Sequence, residues 1–132
     1  RGRDGTTKDT SWTKLFGEGV LALLGWDLTL VEWRVLLYLV ATAKVGTNVA
    51  PWARAAAIAQ ALGHDRTSVS RALTALAGMH LVRMGVEASG AQVAEVNPHV
   101  AFRGTPAQRG LAIGEGRWHH PVNTRAGGAS SR

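Results

Sequence analysis

Cysteine is missing from all 132 residues, which removes disulfides, thiol catalysis and cysteine-ligated zinc from consideration. Tyrosine occurs once, as Tyr38, inside the most apolar stretch of the chain. A DNA-nicking replication enzyme usually needs a tyrosine nucleophile beside a metal, whereas Tyr38 reads as a core residue with its hydroxyl bonded. No Gly-rich loop ends in Lys-Ser or Lys-Thr, so ATP-driven chemistry has no support. Apolar runs are short as well. The longest, Val35 to Ala43, is about half the ~20 residues that a membrane helix requires. Metal-ligating clusters are also wanting: His119 and His120 are adjacent, would diverge on a helix or strand, and have no carboxylate or cysteine group to support them. They read as solvated tail residues. No metal, cofactor, membrane contact or catalytic constellation is therefore expected, and the chain does not read as an enzyme.

Acidic residues are the other scarcity. Nine Asp and Glu stand against fifteen Lys and Arg, for a net charge of +6. Twelve of the fifteen cations are arginine, whose planar fork grips phosphates and guanine edges. Such a balance attracts polyanions, and on charge alone nucleic acid is the leading partner. At this length one domain with one core is expected, and 45% apolar residues suit a globular chain.

Residues 1–10 are polar and aperiodic and read as a flexible leader. From Ser11, apolar residues recur at three- and four-residue steps through Leu24, as in an amphipathic helix weakened by Gly17 and Gly19. Thr29-Leu-Val-Glu32 has the form of a capping box. Behind it, Leu30 to Lys44 is apolar around most of its circumference, so a central helix buried on nearly every side is expected, with Trp33 in the core. Asn48 to Pro51 suits a short edge strand, because Pro51 cannot occupy a central one. An alanine-rich helix from Ala53 to Leu62 closes at Gly63, and Asp65 is placed to cap a second helix from Arg66 to about Met79. After His80 the period falls to two. Val82, Met84 and Val86 should face inward and Leu81, Arg83, Gly85 and Glu87 outward, followed by a Glu87-Ala-Ser-Gly90 turn and a second strand, Ala91 to Val96.

The stretch from Ala56 to Leu76 carries the function. A short helix, a tight turn at Gly63 and a longer helix bring Ile58, Leu62, Val69 and Leu73 together, with Ala59 and Ala61 small enough for close approach. Between the buried positions Arg66, Thr67, Ser68, Ser70, Arg71 and Thr74 make a polar face. Hydroxyls can reach phosphates or base edges, and arginine can hold guanine bidentately; the N-terminal half of such a helix is the part that enters a major groove. His64, in the turn, is placed for a phosphate. Arg54 is placed as a phosphate clamp, and Arg83, Ser89 and Gln92 would bring the hairpin to the DNA. The expected class is α+β, mainly α: a winged helix-turn-helix with a C-terminal β-hairpin wing.

Ile58-Ala-Gln-Ala-Leu-Gly63 followed by Thr67-Ser-Val-Ser-Arg-Ala-Leu73 resembles the helix-turn-helix of many bacterial winged-helix proteins. With the helix Leu30 to Tyr38 and the sequence Val96-Asn-Pro-His-Val-Ala-Phe-Arg-Gly104, residues 28–104 resemble the plasmid RepL-type replication initiators. The resemblance implies a winged helix that binds an origin or a promoter. It does not separate replication initiation from transcriptional regulation. Residues 11–27 fall outside the minimal domain and are apolar, so they are expected to form a homodimer interface with Trp12, Trp26 and Trp52 as aromatic candidates. Residues 105–132 read as a flexible basic tail. The rival readings are a winged helix that docks a protein in a replication or segregation assembly, and a nonspecific basic DNA-packaging protein.

Overall fold

The computed structural model describes residues 14–124. In chain order it contains β1 (Lys14–Leu15), α1 (Gly17–Leu24), α2 (Leu30–Thr42), β2 (Val49–Ala50), α3 (Ala55–Leu62), α4 (Arg66–Gly78), β3 (Val82–Val86), β4 (Gln92–Val96), β5 (Ala101–Phe102) and α5 (Pro106–Gly114). The antiparallel sheet runs β2-β4-β3, so β2 lies at an edge, and β1 pairs with β5 in a separate two-stranded ribbon. Three helices against a small sheet whose last hairpin projects beyond them make a winged helix-turn-helix of α+β class.

The caps are local and sequence-encoded. The Thr29 hydroxyl accepts from the Glu32 amide at 3.1 Å while Glu32 accepts from the Thr29 amide at 2.9 Å. Asp65 accepts from the Ser68 amide at 3.2 Å at the start of α4. Each such cap is worth about 1 kcal/mol. Gly63, at φ +73°, takes the left-handed turn between α3 and α4, a conformation costly to any residue with a Cβ.

Beneath α3 and α4 the core joins Leu36, Leu39, Ile58, Val69, Leu76 and Leu81, each at most 2% exposed. The central helix departs from the expected all-round burial. Leu30 and Leu37 on α2 are exposed while Glu32 is buried in its capping box, and Trp33 and Tyr38 are only half-buried against the core. One flank of α2 faces solvent because only α3, α4 and the sheet cover it.

Two buried asparagines fasten the loops. Asn48 donates to the Val96 and Ala101 carbonyls at 2.7 and 2.9 Å and accepts from the Arg103 amide at 3.0 Å. Asn97 donates to the His80 and His119 carbonyls at 2.7 and 3.0 Å and accepts from the His99 amide at 2.9 Å. Each satisfies its whole amide, as a buried polar side chain must.

The segment set apart for dimerisation is knit into the domain. Lys14 and Leu15 pair with Phe102 and Ala101, the Phe16 amide donates to the Val100 carbonyl at 2.9 Å, and Leu23 is fully buried. Gly19 is a packing residue rather than a weakness: a Cβ there would lie 2.7 Å from the His99 carbonyl oxygen. Trp12 and residues 1–10 lie outside the described residues. Trp26 packs on the core and Trp52 is exposed.

Residues 105–124, expected as flexible tail, are ordered. A second capping box, Thr105 with Gln108, opens α5. Beyond it Trp118 is 5% exposed and donates to Glu95 at 3.2 Å, Arg117 grips Glu95 at 2.6 and 3.1 Å, and the Val122 amide donates to the Met79 carbonyl at 2.9 Å. His119 stacks on His80 with ring centroids 3.7 Å apart, and His120 tilts against His99 at 4.1 Å. The two histidines expected to be free in solvent are thus ring partners of residues in the domain.

The hairpin alternates, but not from Leu81. The chain reverses at His80, φ +61°, and Leu81 is buried at the corner, accepting from the Asn97 amide at 2.9 Å. Val82 is buried. Met84 and Val86 share its face, but both are exposed, Met84 opening into a cleft beside α3 and α4.

Candidate nucleic-acid interface

Burial of Val69, Ala72, Leu73 and Leu76 fixes the rotation of α4. At 3.6 residues per turn, the opposite ridge carries Thr67, Ser70, Arg71 and Thr74, all exposed. Ser70 is on its wing side, and Arg66 lies beyond it. With Arg54, Thr74, Met84 and Gln92 they line one cleft of about 640 Å³ between α3, α4 and the hairpin. Ser68 and Arg71 lie on the other flank, bordering a hollow of about 280 Å³ shared with Thr29, Val31 and Glu32 at the start of α2.

The polar residues therefore fall into three sets. Arg54, Arg66 and Arg71 make no hydrogen bond or ion pair with any described residue, so their forks are available. Ser68 is already engaged: its hydroxyl donates to Asp65 at 3.0 Å. That hydroxyl and the Ser68 amide hold the Asp65 carboxyl below its ordinary range, with Arg71 and His64 adding to the effect. Ser68 is thus first a capping residue. The Thr74 hydroxyl donates to the Ser70 carbonyl at 3.1 Å, as mid-helix threonines do, and leaves its lone pairs to the cleft.

His64 has a partner that the helix-turn-helix sequence does not announce. Arg34, on α2, donates to the Leu62 carbonyl at 3.1 Å and places Nη1 2.9 Å from His64 Nε2. Arginine can only donate, so Nε2 accepts and the histidine proton sits on Nδ1. Arg34 braces the turn from behind. The only trace of this in the sequence is a lone cation within the apolar run of α2.

At the wing, Glu87 and Ala91 close the loop with an amide-to-carbonyl bond of 2.9 Å, Gly90 sits at φ +90°, and Ser89 accepts from the Ala91 amide at 3.4 Å on the exposed tip. Met84 and Gln92 look into the cleft. Arg83 does not join them. Side chains alternate across a strand, and Arg83, registered with Glu95, lies on the opposite face, its guanidinium 5.7 Å from the Trp118 ring. The structure brings together Arg54, Arg66, Ser70, Thr74 and Gln92, with Thr67 and Arg71 on the adjoining ridge, while Ser89 stands on the exposed hairpin tip outside the cleft lining. It separates Arg83 from this group. Among the described residues no cluster of His, Asp or Glu could hold a metal ion, and no helix is long and apolar enough to cross a membrane.

No known protein family matches the chain, and no curated protein is similar to it in sequence. Among solved structures it is similar to MepR, a transcription regulator of the Staphylococcus aureus multidrug efflux pump MepA, with 22% identity and a TM-score of 0.44 over 74% of this chain and 62% of that one. A probable transcriptional regulator from Pseudomonas aeruginosa is similar at 17% identity and a TM-score of 0.42, over 76% of this chain and 63% of the other. The chain thus spans just under two thirds of the length of either solved chain.

Proposed function

We propose that this chain binds double-stranded DNA sequence-specifically and without catalysis, α4 entering the major groove and the β3-β4 hairpin lying alongside as a wing. The observation that carries the reading is a set of three arginines without a partner among the described residues, Arg54, Arg66 and Arg71, on and beside an exposed hydroxyl ridge of a helix whose other face is locked into the core. Unpaired forks in a net-positive chain are suited to phosphates and guanine edges. Thr67, Ser70 and Arg71 are the base readers in this reading, Arg54 and Arg66 hold the backbone, and Ser89 and Gln92 meet the DNA from the wing. His64, with its proton on Nδ1, donates to a phosphate.

The work done is regulation of transcription or initiation of plasmid replication in a bacterial cytoplasm, the latter in keeping with the RepL-type pattern of residues 28–104. The chain acts as a homodimer reading two half-sites about one helical turn apart. Leu21 and Leu24, both exposed on α1, are its interface. Fluorescence anisotropy on random duplex and on fragments flanking the gene, across a salt series, tests the reading. Tight binding to one fragment, with log K falling linearly as log salt rises, supports it. Equal weak binding to every duplex leaves a nonspecific packager. Absence of binding at moderate salt leaves a protein-docking module.

A further inference from the structure

A second concave site lies apart from the cleft and shares no residue with it. Lys14 and Phe16 from the β1-α1 corner, Phe102 and Gly104 at the end of β5, and Arg109 on α5 enclose a cavity of about 240 Å³. Its cations are unusual in their company. The Arg109 guanidinium lies 3.6 Å from the Phe16 ring centroid and its Nε donates to the Pro98 carbonyl at 2.7 Å. No further partner among the described residues takes its terminal nitrogens. Lys14 Nζ stands 5.6 Å from the same ring, with no carboxylate partner among the described residues. Among the described residues, no acidic side chain lines the cavity. Burial disfavours the charged form of Arg109, the cause of its lowered proton affinity, so a partly desolvated cation faces a hollow to which the described residues bring nothing of opposite sign.

The helix end contributes little, because Thr105 and Gln108 spend their side chains on each other. The specificity of the hollow comes from its walls: the half-buried Phe16 ring, with the nearly buried Phe102 behind it, and two cations. Drug-sized sites run ~300–1,000 Å³, and this one is smaller, suited to one or two fused rings. We infer that it is a binding site for a small planar organic anion, an aromatic carboxylate in type, whose ring lies against Phe16 and Phe102 and whose carboxylate is held by Arg109 and Lys14. A guanidinium with two free terminal nitrogens matches a carboxylate fork, and the ring area removed from water adds to it. An occupant would tie β1, β5 and α5 together.

Titration calorimetry on the full 132-residue chain with 2-naphthoate, 2-naphthylmethanol and inorganic phosphate tests the site. Saturable one-site binding of the acid is expected, at least about tenfold tighter than the alcohol or phosphate, because the charge-assisted pair is lost in the first and the ring contact in the second. Lys14→Gln and Arg109→Gln should each weaken the acid about tenfold, whereas the double variant Arg66→Ala/Arg71→Ala on the cleft side should bind it as the parent does. Lys14 is exposed and its variant will fold even if Arg109→Gln does not. Equal affinity for acid and alcohol, phosphate binding as tightly as the acid, or loss of acid binding in the Arg66→Ala/Arg71→Ala variant would each overturn the assignment, as would no uptake of acid at ~5 mM.

Discussion

Two groups of arginine share this small molecule and behave in opposite ways. Arg34, Arg103, Arg109 and Arg117 each donate to a protein acceptor: the Leu62 carbonyl, the carbonyls of Ala41 and Ala43, the Pro98 carbonyl, and Glu95 with Glu115. Arg54, Arg66 and Arg71 have no such partner among the described residues, and all three lie on or beside the exposed side of the helix-turn-helix. Composition cannot distinguish the groups, since both are the same residue in the same net-positive chain. Geometry does. An arginine that ends a helix or grips a carboxylate contributes to folding; one held out on a locked scaffold with its fork empty is placed for something outside the chain.

The sharpest way to break that contrast is to remove a buried polar hub of the scaffold that the bonded group braces elsewhere. Asn97→Ala strands the His80 and His119 carbonyls and the His99 amide. Each buried orphan costs ~1–3 kcal/mol, and because the C-terminal segment can loosen and let water in, a loss of about 3 kcal/mol is expected. Urea denaturation should show it as a lower midpoint. DNA affinity per folded molecule should hold, and a parallel loss of both would mean that the C-terminal segment positions α4.

The complementary test empties the other group. Arg66→Ala with Arg71→Ala should leave the unfolding midpoint within ~0.5 kcal/mol, as surface changes do. The salt slope of binding should fall by about one for each arginine that meets a phosphate, and an arginine that meets a base edge should cost ~1–3 kcal/mol at one position of the site. A stability loss here would show that these forks have structural work after all. Ser68→Ala belongs with the first group despite its address on α4. It should cost about 0.5 kcal/mol, the hydroxyl bond to Asp65 being lost while the Asp65 cap on the residue-68 amide stays, and sequence preference should not change.

A gentler probe is pH. His80 is pushed below its ordinary value near 6.5 by burial first, then by His119 and Arg83; His99 likewise by burial, then by His120 and Arg109. The folded state therefore binds fewer protons than the unfolded one at these sites. Stability is full above about pH 6.5 and declines as the pH falls from there through the lowered folded values. Urea midpoints at pH 7.5 and 5.5 measure the decline, and His119→Gln should flatten it by removing one positive neighbour. A steeper decline in that variant would show that the stacked pair stabilises the protonated form.

What could be read in advance was whatever rests on neighbours in sequence. The Thr29 box, the Asp65 cap, the Gly63 turn and the stripe Val69-Leu73-Leu76 all lie within one or two helical turns of their partners, so spacing alone reveals them. Residues 105–124 were misread for the converse reason. Trp118 with Glu95, His119 with Asn97 and Val122 with Met79 are bonds across 22 to 43 positions, and a Gly- and Arg-rich stretch without period gives no hint of them. The two-residue strands β1 and β5 are too short to show alternation. The polar face of α4 was legible as composition, but its division between the cleft and the α2 side needed the rotation that burial imposes. Arg34 was legible only as an oddity in an apolar helix.

The smallest expected effect falls on Arg83, and it separates two descriptions of the wing. By residue type it belongs with Arg66 and Arg71, and a hairpin arginine near DNA is an easy contact to imagine. By pleat it belongs with Glu95, because residues 82, 84 and 86 take one face and 83 and 85 the other. Its fork lies 5.7 Å from the Trp118 ring, on the side where Arg117 and the C-terminal segment are fastened. An exposed cation over an aromatic ring is worth ~0.5–1 kcal/mol, so Arg83→Ala should lower stability by no more than that. The anisotropy salt slope should be unchanged. A slope reduced by a full unit would mean that DNA wraps past the hairpin edge to the second face of the sheet, and the wing would then be a two-sided contact with Arg83 on its far side.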